Sequence, residues 1–200
     1  MKSHVAFALR TFEKGCDRSD ALRHLHSYIG RSSPSALDCS DMLRAAVVLA
    51  VSSFDLLIHD LYRLEVVYRL TSLRPVATLR VPFNTVLLSE AERATLVNES
   101  IRVENSFKSF VAPEKLADCL RPLVGSIWEP VAAIRGRPSA EDKASLKAAV
   151  DLRNRIAHEA DVNPALGGID LWPIYDSDVE GSVQFLRAFG TAVARVVSDS

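Results

Sequence analysis

The chain has 200 residues, 48 % apolar and 24 % charged, with a formal net charge of −1. That length buries a sizeable core in one domain, residues 1–200, without needing disulfides or a metal to hold it. The near-zero net charge supplies no bulk attraction to nucleic acid or to an anionic surface, so any such contact must come from a local patch.

The three cysteines, Cys16, Cys39 and Cys119, are scattered and odd in number. They set no disulfide framework and no metal-ligand spacing. A reducing cytoplasm is the expected setting, and no metal or cofactor is expected. Residues 1–14 lack the apolar run of a signal peptide. The most apolar window, residues 45–58, is interrupted by Ser52, Ser53 and Asp55 and is too short to span a bilayer, so no membrane association is expected.

In chain order, residues 1–14 read as a frayed helix or an extended arm. Residues 17–28 read as a short helix with Ala21, Leu22, Leu25 and Ile29 on one face and Gly30 as its stop. Residues 32–35 are a loop. A long helix then starts near Asp38 or Ser40, either able to cap it, and runs toward Leu70. Its stripe of Leu43, Val47, Ala50, Phe54, Leu57, Leu61 and Leu64 is widened by Val48, Val51, Ile58 and Val66, which marks a central helix. Residues 71–88 hold Pro75 and Pro82 and read as an irregular crossover, a short strand pair or a flap. Ser89 and Glu92 open a capped turn, and residues 101–110 form another short helix. Pro113 suits the first turn of a helix through Leu116, Leu120 and Leu123. Trp128, Val131 and Ile134 extend the apolar pattern past Pro122 and Pro130, where breaks are expected. Ser139 with Asp142, and Ser177 with Glu180, resemble capping boxes. They open a helix over residues 140–159 and a last helix carrying Val183, Leu186, Phe189, Val193, Val196 and Val197. Strand alternation is nearly absent, so the class is all-α, a single-domain helical bundle with a long central helix.

The helix over residues 140–159 carries the most informative stretch, Asp151-Leu-Arg153-Asn154-Arg155-Ile-Ala-His158-Glu-Ala-Asp161. At about 100° per residue, Ala149, Val150, Leu152, Ile156 and Ala157 share a side with Leu146. Lys147, Asp151, Asn154 and His158 form a polar stripe opposite. Arg153 falls on the apolar side, where a guanidinium needs an acceptor or a route to water. The long helix offers a second polar stripe, Ser52, Asp55 and His59, with Asp60 beside it. An inward carboxylate and an inward guanidinium are each costly alone. The expectation is therefore that Asp55, or Asp60, meets Arg153 across a helix contact with His59 nearby. Arg121, Arg135, Arg137, Lys143, Lys147 and Arg155 are open to two readings, an RNA track or a solvated face. His24 and His26, two apart on a helix, point different ways and make a poor metal pair.

Arg153-Asn154-x-x-x-His158 resembles the signature of the HEPN superfamily. The longer string through Asp161 and Pro164, with Ser52-x-x-Asp55-x-x-x-His59-Asp60, is similar to its RiboL-PSP-HEPN branch. The resemblance implies a HEPN-type bundle, a homodimer and a metal-independent endoribonuclease, often a toxin or defence effector with an antitoxin or nucleotidyltransferase partner. In that reading Arg153, Asn154 and His158 are catalytic, and Ser52, Asp55, His59, Asp60 and Asp151 support them. The alternative is a non-catalytic HEPN module that binds RNA, a nucleotide or a partner protein.

Overall fold

The computed structural model describes residues 1–32, 38–72, 76, 87–166 and 170–200. The expected loop at 32–35 and crossover at 71–88 fall mostly outside these residues. Among the described residues the chain forms α-helices and no strand. They are α1 (Ser3–Ser32), α2 (Ser40–Thr71), α3 (Glu90–Asn105), α4 (Pro113–Val124), α5 (Trp128–Arg135), α6 (Ser139–Glu159) and α7 (Asp176–Asp199). The fold is an all-α helical bundle.

α2 is its axis and packs against α1, α3, α4, α6 and α7. It is long and apolar enough to cross a membrane, and its stripe is instead spent inside the bundle. Leu43, Val47, Ala50, Phe54, Leu57 and Leu61 are all buried, as the periodicity requires. α1 is one helix rather than an arm and a short helix. Val5, Leu9, Phe12, Cys16, Ser19 and Arg23 continue a single buried stripe, so docking on α2 orders a segment that local propensity leaves undecided. Close approach needs small residues at the seams. A Cβ added at Gly190 of α7 would sit 2.6 Å from Phe12 Cε1. Around that point Phe54 lies against Phe12 and Phe189 with ring centroids 6.1 and 5.7 Å away, and Trp128 stacks on Phe189 at 5.9 Å.

Several local expectations are corrected. α3 is one continuous helix with a true Ser89/Glu92 capping box, and Phe107 and Phe110 lie beyond its end. Pro122 does not break α4. The chain turns at Gly125, whose φ of 71° suits a residue without Cβ, and Pro130 sits harmlessly in the first turn of α5. Neither Asp38 nor Ser40 occupies the cap of α2. Cys39 does, while Asp38 accepts the Ser40 N–H at 2.9 Å. The two further capping boxes do not form. Asp142 is turned inward onto Arg135, and Asp176 and Glu180 reach Arg23 of α1 at 3.0 and 3.2 Å. In each case an ion pair between elements outcompetes the local cap.

Buried carboxylates mark the seams. Glu65 of α2 is fully buried and accepts from Lys2 Nζ at 2.8 Å and Arg69 Nε at 2.7 Å, with His4 Nε2 at 2.8 Å. Cys16 is buried and Cys119 half-buried. Burial pushes the Cys16 thiol up to about 11 and the Cys119 thiol up to about 12.

Burial alone would raise the Glu65 carboxyl, but its donors Lys2, Arg69 and His4 outweigh burial and hold it below the ordinary value of 4.5. A folded-state value depressed in this way adds stability above the unfolded value and loses it as pH falls through the folded one. Glu65→Gln should therefore cost about 3–5 kcal/mol at pH 7, the cost of stranding buried charge. Chemical denaturation should show the gap between parent and variant closing as the pH falls below 4.5.

Candidate functional site

The second half of α6 departs from the bundle core. Leu146, Ala149 and Val150 are buried, Leu152, Arg153, Asn154 and Ile156 are half-buried, and Ala157 and His158 are exposed. The helix ends in a left-handed pair, Ala160 at φ 50° and Asp161 at φ 57°. These are the positive-φ residues other than glycine among those described, and each costs about 1–2 kcal/mol, less for Asp than for Ala. In return the Asp161 N–H donates to the Arg155 carbonyl and the Val162 N–H to the Glu159 carbonyl, both at 3.1 Å. Two carbonyls at the end of the helix, those of Arg155 and Glu159, thereby gain partners.

The Asp161 carboxylate, fully buried, is the hub of this end. It accepts from Arg44 Nε of α2 at 2.7 Å and from Arg155 Nε at 2.5 Å. Arg44 continues to the Trp172 carbonyl and to Ser40 Oγ, both at 2.7 Å. The Trp172 N–H returns to the Asp161 carbonyl at 2.9 Å, and the Arg155 guanidinium lies 5.3 Å from the Trp172 ring centre. An isolated bridge between Val162 and Leu171 pins the connection to α7.

Sequence reading missed this hub, although it left signals. Arg44 is a cation inside the apolar stripe of α2, and Asp161 directly follows a helix end. Arg153, expected to meet Asp55 or Asp60, meets neither. Asp55 Oδ1 accepts the Phe110 N–H at 2.8 Å and lies 3.7 Å from His59 Nε2. His59 Nε2 lies 3.1 Å from the Lys108 carbonyl and its ring packs on Phe110. Asp60 holds Arg63 at 2.6 Å. Ser52 is exposed. The cause is register: at about 1.5 Å per residue, Asp55 stands roughly 16 Å along α2 from Arg44, which touches the end of α6. Asp55 and His59 thus clasp the α3–α4 connection.

The three signature side chains are otherwise uncommitted. Among the described residues, Arg153, Asn154 and His158 make no side-chain hydrogen bond, and the Arg153 Nε is buried without a partner. Asp151 is exposed and binds Lys147 at 2.5 Å. A shallow groove of about 440 Å³ beside Asn154 is lined by Asp151, Leu152, Arg155 and Glu159.

The cations read as an RNA track or a solvated face each have a partner within the chain. Arg135 and Arg137 converge on the buried Asp142 at 2.9 and 2.8 Å, Arg121 pairs with Asp118, and Lys143 covers Trp128. With Lys147 on Asp151 and Arg155 on Asp161, these cations are already engaged. Among the described residues, no three His, Cys, Asp or Glu side chains converge as metal ligands. In comparisons with known proteins, no family model, no curated protein and no solved structure matches this chain.

Because Ala160 occupies a backbone region that glycine adopts freely, Ala160→Gly should stabilise the protein by about 1 kcal/mol. For a chain of this length that is roughly 2–4 °C in Tm, readable by thermal melts. A fall in Tm would mean that the Ala160 methyl group supplies packing worth more than the strain it causes.

Proposed function

We propose that this chain is a metal-independent endoribonuclease of the HEPN type, acting as a homodimer. The observation that carries the reading is the contrast along the last turns of α6. Lys147 and Arg155 are neutralised within the chain, whereas Arg153, Asn154 and His158 make no side-chain hydrogen bond among the described residues. These are the residues whose pattern resembles the HEPN signature.

The chemistry suits those groups. A neutral His158 imidazole takes the proton of the RNA 2′-hydroxyl, and the 2′-oxygen attacks the adjacent phosphorus. The phosphorus–5′-oxygen bond breaks, an imidazolium returns a proton to the leaving oxygen, and a 2′,3′-cyclic phosphate remains. The Arg153 guanidinium donates to the phosphate oxygens on which negative charge grows. Asn154, one turn before His158, orients the imidazole or the phosphate. The one histidine of the signature cannot be base and acid at once, so a second copy brings its own α6 alongside. Leu152 and Ile156 pack on the core yet stay half-buried, and Ala157 is exposed, so that contact would bury this flank of α6 further.

The neutralised cations favour one rival, a HEPN-like module that engages a partner protein and leaves RNA intact. The deciding experiment is incubation of purified protein with single-stranded RNA in excess EDTA. Cleavage to 2′,3′-cyclic ends is expected. His158→Ala should reduce the rate about 10²–10⁴-fold, the usual worth of acid–base catalysis, with the fold kept, because His158 is exposed. A variant within twofold of the parent, or RNA left whole by the parent, rejects the assignment. Light scattering at micromolar concentration should report a dimer, and a monomer would remove the shared site.

A further inference from the structure

We propose that Asp161 is a positioning residue for His158, and that its buried ion pairs, rather than the helix itself, set where the imidazole stands. The proposal rests on the ribonuclease reading and adds a residue to that site. His158 lies in the last turn of α6, beyond the part of the helix that is packed into the core. What closes this turn is backbone from the far side of it: the Asp161 N–H on the Arg155 carbonyl and the Val162 N–H on the Glu159 carbonyl, each at 3.1 Å. Those two acceptors bracket His158. The amides reach them only because Ala160 and Asp161 both turn left-handed. Strained backbone of this kind persists only where its surroundings over-determine it, and such outliers cluster at functional sites.

The surroundings here are the two arginines. Arg44 holds Asp161 Oδ2 at 2.7 Å and Arg155 holds Oδ1 at 2.5 Å, so one carboxylate ties the end of α6 to the start of α2. Arg44 and Trp172 complete the enclosure through the Trp172 carbonyl and N–H. Removing the carboxylate charge releases both arginines. The left-handed pair then loses what enforces it, and the turn carrying His158 is free to unwind.

Asp142 supplies a matched control in the same helix. It is equally buried, binds Arg135 Nε at 2.9 and 3.1 Å, and sits at the opposite end of α6. Asp142→Asn and Asp161→Asn should both lower Tm. In protein carrying ¹³C-labelled histidine, with the His158 signal assigned by its loss in His158→Ala, only Asp161→Asn should shift and broaden that signal. The same variant should lose kcat, by up to about 10²-fold for misplaced catalytic groups, with KM and the dimer unchanged. If Asp161→Asn does not fold, Arg155→Gln, which removes the half-exposed arm of the hub, carries the comparison and should move the His158 signal in the same direction. A His158 signal that stays at its parental position, or that moves equally in Asp142→Asn, overturns the proposal. The imidazole signal is read without RNA, so a parent that cuts no RNA defeats the ribonuclease reading while the positioning result still stands on its own.

Discussion

The constraint on which this structure turns is the removal of α2 from water. A helix of 32 residues with a broad apolar surface cannot be covered by one neighbour, and five other helices share the task. That demand explains features that look unrelated. α1 must be long to match α2. Gly190 must lack a side chain so that α7 can approach α1 where Phe12, Phe54 and Phe189 meet. α4 tolerates Pro122 because burial of Leu120 and Leu123 outweighs one lost backbone bond.

Burying one helix on so many sides leaves its polar residues to be dealt with, and the fold does so by sharing. Glu65 serves Lys2, His4 and Arg69, and Asp161 serves Arg44 and Arg155. Asp142 does the same for Arg135 and Arg137 where α5 meets α6. A lone buried charge is expensive, and a carboxylate with several donors is tolerable only when its geometry is complete. Each hub therefore specifies one arrangement of the helices around it.

Much of this was legible in the sequence wherever periodicity carried the information. The stripes of α2 and α7 and the first half of that of α6 predicted buried faces, because a 3.6-residue period is visible without knowing the partner, whereas Leu152 and Ile156 are half-buried and Ala157 is exposed. The Ser89/Glu92 box was equally readable, since its two halves lie three residues apart. The failures share one cause. The Ser139 and Ser177 boxes, the partner of Arg153 and the role of Asp55 all depended on which residue of another segment arrives first, while Asp60 turned to Arg63 one turn along its own helix. Asp142 meets Arg135, Asp55 meets the amide of Phe110, and Asp161 meets an arginine 117 positions earlier. Local pattern carries no term for such meetings. The motif residues Arg153, Asn154 and His158 were identifiable as a string, but that they stand uncommitted while their neighbours pair off was not.

The cysteines carry a practical consequence. Two of the three thiols are held protonated by burial, Cys16 in the core and Cys119 on α4, and a thiol that stays protonated is a poor nucleophile. Cys39 stands apart from them, half-buried at the cap of α2, five residues before the Arg44 that grips Asp161. A maleimide dye added to the native protein will therefore be directed to one position without any engineered cysteine. That position lies beside the junction of α2 with the end of α6, so its fluorescence is a built-in gauge of whether that junction is closed.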